Sequence, residues 1–277
     1  MQNEAMPKTE LVTPFGAKAT IYHQGAHVTS WIPSAAYGEQ LFVARYSEYA
    51  AGKAIRGGVP VCFPQFAAFG TGVKHGFARN MDWRLSSINE DQTEAVLTLS
   101  DSDKTRKLWP HSFELTLTVT LAPEKITMAM TVTNTGASAF DFSGALHTYF
   151  GVSQFTQVEL SDMTGITYWD NGTDFSNKKV DCNSVLALSG ALDRVYFDAP
   201  NSLKLLDGDI TKTIVKRGFT DVVVWNPGPE GAKGLSDMGD DEFNTMLCVE
   251  AAVVDRPISL SAGASWTGVQ EVVVSRG

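Results

Sequence analysis

Phe113-Glu-Leu-Thr-Leu-Thr-Val-Thr-Leu121, followed after Ala-Pro-Glu-Lys by Ile126-Thr-Met-Ala-Met-Thr-Val-Thr133, carries the clearest structural signal in the chain. Apolar and polar residues alternate with a period of two through both halves. Successive side chains of a strand point to opposite faces, so each half gains one apolar and one polar, threonine-rich face. A short proline-containing link joins the halves, which predicts an antiparallel hairpin buried on one side. On either side, similar β-rich runs occupy Lys18–His23, His27–Ile32, Glu94–Ser100, Phe140–Phe150, Leu203–Asp207, Asp221–Asn226, Thr245–Val254 and Trp266–Ser275. A helical period is hard to find; only Tyr46–Ala54 suggests a short helical turn. Many short strands without βαβ alternation predict an all-β chain, a large antiparallel β-sandwich forming one domain over residues 1–277.

Composition narrows the function. The chain has 277 residues, 31 acidic against 22 basic, and a net charge of −9. Nucleic acid is an unsuitable partner, because phosphate backbones need a broad basic face. Cys62, Cys182 and Cys248 are three widely spaced cysteines with no C-x-x-C pair, which predicts neither a disulfide framework nor a zinc ribbon. No apolar run approaches the ~18 residues of a membrane span. The first residues carry no basic-then-apolar leader pattern, so a cytoplasmic protein is expected.

Against this acidic background, the segment from Tyr49 to Met81 carries Lys53, Arg56, Lys74 and Arg79 and no Asp or Glu. Cations set among glycines and aromatics suit a small anion, because glycine lets backbone donors approach and arginine forks onto phosphate oxygens. Two long irregular stretches, Gly52–Val73 and Asn226–Asn244, are of the kind that is usually functional or mobile. The acidic run Asp237, Asp240, Asp241 and Glu242 does not match a calcium loop and is expected to be solvated. No P-loop, dinucleotide fingerprint or nucleophile elbow is present, and the histidines and cysteines lack metal-ligand spacing.

Two residues interrupt buried-looking strands. Glu250 lies in Met-Leu-Cys-Val-Glu-Ala-Ala-Val-Val, apolar on both faces, with Cys248 and Ala252 as its same-face neighbours. A carboxylate there must be paired, protonated or functional, since burying an unpaired charge costs several kcal/mol. Burial would lift its pKa toward neutrality, as a general base needs. His147 shares a strand face with Asp141, Ser143, Ala145 and Tyr149, a polar and aromatic face that suits the wall of a sugar groove.

At these segments the chain resembles the hexose-6-phosphate mutarotases, or glucose-6-phosphate 1-epimerases, of the aldose 1-epimerase superfamily. The matching pieces are Ile-Arg-Gly-Gly-Val-Pro-Val-Cys-Phe-Pro (55–64), His-Gly-Phe-Ala-Arg (75–79), the His147 strand, Trp-Asn-Pro (225–227) and Cys-Val-Glu-Ala-Ala (248–252). They span about 200 residues in the family's order. The resemblance implies a galactose-mutarotase-like sandwich that interconverts the anomers of a sugar phosphate, with no cofactor and no metal. It implies His147 and Glu250 as the catalytic acid and base. For substrate binding it implies Arg56, Lys74, His75, Arg79 and Asp193, with Lys74 at a place where the family pattern has Gln. A monomer is expected. An epimerase of free sugars and a non-catalytic carbohydrate-binding sandwich are the alternatives.

Overall fold

The structure, a computed structural model, describes residues 6–171, 173–186 and 188–277. The hairpin read first is present as strands Phe113–Ala122 and Lys125–Asn134, paired from Phe113↔Asn134 to Ala122↔Lys125. Leu115, Leu117, Met130 and Val132 are buried, and their threonine neighbours face outward. On that outer face Thr131 meets Thr267 at 2.9 Å and Thr133 meets Ser265 at 2.8 Å, cross-strand pairs that tie the hairpin to the strand Ser265–Arg276.

Nine strands form the sheet around this hairpin, an eight-stranded sheet faces it, and Lys8–Val12, Lys18–Tyr22 and His27–Ile32 make a third of three strands. All named strand pairs among the described residues are antiparallel. Leu115, Leu117, Met130 and Val132 of the larger sheet belong to one continuous buried cluster with Phe142, Leu146, Val249 and Ala251 of the smaller. Each such side chain contributes about 1.5–3 kcal/mol on burial, so the apolar faces hold the two sheets together. This is the antiparallel sandwich expected from the alternation.

Several local expectations change. Residues 46–54 form turns with no helix. The region 140–150 is two strands, Phe140–Leu146 and Tyr149–Gly151, with His147 and Thr148 between them. There the chain bonds the neighbouring Gly58–Pro60 segment instead: His147 N–H donates to Pro60 O at 3.0 Å, and Tyr149 N–H to Gly58 O at 2.9 Å. Asn226–Asn244 is less irregular than expected, holding a short helix Gly228–Lys233 and a 3-10 turn Glu242–Thr245. The helix Asp103–Leu108 escaped the periodicity reading because six residues are too few to show a repeat. Its signal is the capping box in which Ser102 and Thr105 bond reciprocally.

Glycines let the 55–64 segment run against the sheet. At Gly58, φ is +59° and a Cβ would stand 2.2 Å from Val28 O. Gly76, at φ +69°, would place one 2.0 Å from Phe63 O. Any side chain at either position would push the segment off the sheet.

One buried group makes the fold acid-sensitive. His27 is fully buried, with Nε2 2.7 Å from Gly57 O and Nδ1 unpartnered. Burial, aided by the Arg79 charge, pushes its pKa down to about 4 from 6.5, against the opposing pull of the Gly57 bond. A depressed pKa contributes stability that is complete above 6.5 and lost as pH falls toward 4. Each unit is worth about 1.4 kcal/mol, so the loss by pH 4 is about 3 kcal/mol. His27→Gln keeps a donor for Gly57. Urea melts from pH 7 to pH 4 should show this variant losing about 3 kcal/mol less than wild type; parallel curves would contradict the assignment.

Candidate active site

Strand register assembles the site. Leu146 pairs with Ala251 and Tyr149 with Cys248, so the unpaired His147 stands directly opposite Glu250. Val223 lies across from Glu250 on the other side, Trp225 across from Cys248, and Asp193 across from Trp225. Because alternate residues share a face, the sheet presents two adjoining rows. One runs Asp193, Trp225, Cys248, Tyr149; the other runs Val195, Val223, Glu250, His147. The first spans three strand spacings, about 14 Å, long enough for a pyranose ring carrying a phosphate.

His147 Nδ1 lies 3.3 Å from Glu250 Oε1. Both side chains are almost wholly buried, at 8% and 1% exposure. Neither His147 Nδ1 nor Glu250 Oε2 makes an aligned hydrogen bond among the described residues, so both retain unused hydrogen-bonding capacity. From the core side, Gln270 of the opposite sheet donates to Val249 O at 3.2 Å and accepts from the Thr148 hydroxyl. It thereby locks the two chain segments that carry the pair. Tyr149 stacks on the imidazole with ring centroids 4.8 Å apart and planes 9° from parallel.

Burial decides the protonation of this pair. Desolvation pushes the Glu250 carboxyl well above its usual range, the Asp193 charge adds to this, and Arg79 opposes it. Desolvation drives His147 well below its usual range, helped by His75, Arg79 and Arg56. Both shifts favour the uncharged pair, a carboxylic acid beside a neutral imidazole, over the ion pair.

The remaining expected residues surround this pair at different distances. Arg56 donates from Nε to both Asp237 oxygens at 3.2 Å and from Nη1 to the Tyr149 hydroxyl at 3.4 Å. The segment free of acids in sequence therefore meets an acid in space. Lys53 points elsewhere, exposed and paired with Glu48. Arg79 donates from Nη2 to Lys74 O at 3.1 Å, and its buried Nε has no partner. His75 Nδ1 accepts from Ala67 N–H at 3.3 Å and lies 3.4 Å from Cys62 Sγ, which leaves Nε2 as its donor. Burial, reinforced by Arg79, Lys74 and Arg56, holds this imidazole neutral with its pKa pushed down to about 3. Its ring is 5.3 Å from that of His147. Asp193 stands at the far end of the first row, where Asn171 donates to it at 2.8 Å. Burial raises its pKa, against the Asn171 bond and the Lys74 charge. Lys74 is exposed, and its charge acts on Asp193 and His75 without a direct bond.

Three contributors escaped the sequence reading. Asp237 was grouped with a solvated acidic run, and nothing in sequence links it to Arg56, 181 positions away. Trp225 faces His147 edge-on with centroids 6.2 Å apart, and Asn171 orients Asp193. A cavity of about 530 Å³ lined by Asn171, Asp193, Trp225 and Leu235 adjoins this end of the groove. The larger cavity, about 640 Å³ between Gln65, Phe69, Trp109 and Phe142, touches neither His147 nor Glu250. It holds no comparable acid–base pair, so the chemistry belongs to the shallow groove.

A paired carboxyl and imidazole at the floor of a sheet groove, flanked by aromatics, hydrogen-bonding groups and cations, define an acid–base site for an oxygen-rich ring. The aldose 1-epimerase family profile matches residues 7–272, and the chain belongs to that family. A relative in Cenchrus ciliaris, provisionally named a glucose-6-phosphate 1-epimerase, is 37% identical over 263 residues, covering 90% of this chain and 79% of its own. One in Escherichia coli K12 with the same provisional name is 36% identical, covering 85% and 79%. A crystal structure of a provisional mutarotase from Salmonella typhimurium superposes with a TM-score of 0.87 at 31% identity, covering 97% of this chain and 90% of that one.

Proposed function

We propose that this protein interconverts the α and β anomers of hexose 6-phosphates, glucose 6-phosphate foremost, by general acid–base ring opening and reclosure. The observation that carries this is the buried His147–Glu250 pair, 3.3 Å apart, with one proton to share. With the proton on His147, Glu250 accepts the anomeric hydroxyl proton while His147 donates to the ring oxygen, and the C1–O5 bond opens. The step leaves a carboxylic acid and a neutral imidazole, the pair that burial favours, facing the open aldehyde. Rotation about C1–C2 and the reverse transfers give the other anomer. Each positioned acid or base supplies roughly 10²–10⁴ in rate.

In this reading Arg56, Lys74 and Arg79 attract the phosphate, while His75 and Asp193 bond sugar hydroxyls. The provisional names of the relatives agree with a phosphorylated substrate. In the same reading the protein works as a monomer and as one domain. Three free thiols suit the reducing cytoplasm, and among the described residues no helix is long and apolar enough to cross a membrane.

The test is anomer-resolved NMR exchange on glucose 6-phosphate, galactose 6-phosphate and free glucose with catalytic amounts of protein. Exchange fastest on a 6-phosphate supports the proposal. Absence of exchange would leave only a carbohydrate-binding module. Asp237 adds a finer check. A part-exposed ion pair is worth up to about 1 kcal/mol, so Asp237→Ala should raise KM for glucose 6-phosphate about fivefold with kcat little changed. Asp237→Asn retains an acceptor for Arg56 Nε–H and should restore most of the affinity. A kcat loss without a KM change would mean that Asp237 does not act through Arg56.

A further inference from the structure

We infer that His147, Cys248 and Glu250 form a site for a thiophilic divalent cation of the zinc class, through which such a metal reversibly inhibits the enzyme. Only the inhibition rests on the function proposed above; the site rests on geometry. One ligand atom from each of the three residues lies within 4.8 Å of the other two. The 3.3 Å between His147 Nδ1 and Glu250 Oε1 already equals one edge of a zinc tetrahedron, which is about 3.3–3.5 Å for bonds of 2.0–2.2 Å. Cys248 sits two residues from Glu250 on the same strand face. Its thiol, within 4.8 Å of the other two ligand atoms, must close by up to about 1 Å to reach the roughly 3.5 Å edge that a ~2.3 Å zinc–sulfur bond sets.

The available atoms agree with this. His147 Nδ1 and Glu250 Oε2 are buried and without partners. One imidazole nitrogen, one sulfur and one carboxylate oxygen select zinc, cobalt or cadmium over magnesium and calcium, which require shells of oxygen. The neighbouring Cys62–His75 pair is not a rival, because His75 Nδ1 is already engaged by Ala67 N–H and Cys62 and, among the described residues, no third donor joins them. Arg56 and Arg79 oppose a cation here, so the metal is an inhibitor that comes and goes. It occupies both proton-transfer groups at once, so inhibition should be complete at saturation and competitive with the sugar phosphate.

The experiment uses Co²⁺ as the probe. Titration of the purified protein should produce a thiolate-to-cobalt absorption band with a stoichiometry of one per chain, removed by Zn²⁺. Cys248→Ala should abolish the band, whereas Cys62→Ala should retain it. Under buffered free Zn²⁺, anomer exchange should be lost and recovered with a chelator. Measured against its own uninhibited rate, Cys248→Ala should require at least about tenfold more Zn²⁺; Cys248→Ser serves if the alanine variant is unstable. No thiolate band, or a band that survives in the Cys248 variants, would overturn the site. A normal band on a protein that does not anomerise sugars would uphold it and refute the proposed function instead.

Discussion

Glu250→Gln is expected to lower kcat for anomer exchange by at least about 10²-fold while leaving KM within a few-fold, and at the same time to make the fold more stable at neutral pH. The kinetic part follows because the amide is isosteric but cannot take the anomeric proton. The stability part follows from the sign of the pKa shift. Glu250 is raised above its ordinary 4.5 by burial, so its favourable contribution is complete below pH 4.5 and lost as pH rises through the folded value. Above that value the native state carries a buried charge that the amide lacks, and the amide can still donate to His147. The melting temperature of the variant should therefore exceed that of wild type at pH 8, with the difference vanishing toward pH 4.5. His147→Asn should lose as much rate, and the double variant little more than either, since the two groups move one proton as a unit. Near-wild-type exchange in either folded single variant would end the acid–base assignment.

Arg56→Ala and Arg79→Ala are each expected to weaken hexose 6-phosphate by roughly 10- to 100-fold. A charge-assisted hydrogen bond contributes about 1.5–3 kcal/mol, and ~1.4 kcal/mol is a tenfold change. The slow reaction of free glucose should change much less, because that substrate presents no anion to the guanidinium groups. Arg56 is part-buried against Asp237 and Tyr149, which hold it in one geometry; this favours the upper part of the range there. Inorganic phosphate should compete with the substrate, and added salt should raise its KM. Equal losses on glucose and glucose 6-phosphate would make the arginines structural and return the free-sugar epimerase to first place.

The architecture was legible from the alternation in residues 113–133 together with the similar runs along the chain, because a period of two with one apolar face makes a strand that must pack on an apolar partner, and no βαβ units interrupt the series. The same rule made Glu250 conspicuous, since a carboxyl in an apolar strand breaks the pattern and the pattern is visible in a single chain. His147 was legible more weakly, from the polarity of its strand face. The break in the chain at His147 and Thr148 was not, because it depends on hydrogen bonds to Gly58 and Pro60, which lie far away in sequence.

What those residues face depends on how distant strands align. Register alone sets His147 opposite Glu250, and a slip of one residue would have turned one of them into the core. The pairing of Arg56 with Asp237 joins an apparently unopposed cation to an apparently solvated acid, and no local pattern encodes a contact across 181 positions. The metal-like grouping of His147, Cys248 and Glu250 was missed for the same reason: ligand spacing along a chain recognises sites built on one turn or loop, whereas this one lies across neighbouring strands. Sequence reports periodicity and its exceptions, which are local properties. Charge compensation, proton location and ligand geometry depend on distances that arise only when separate strands align.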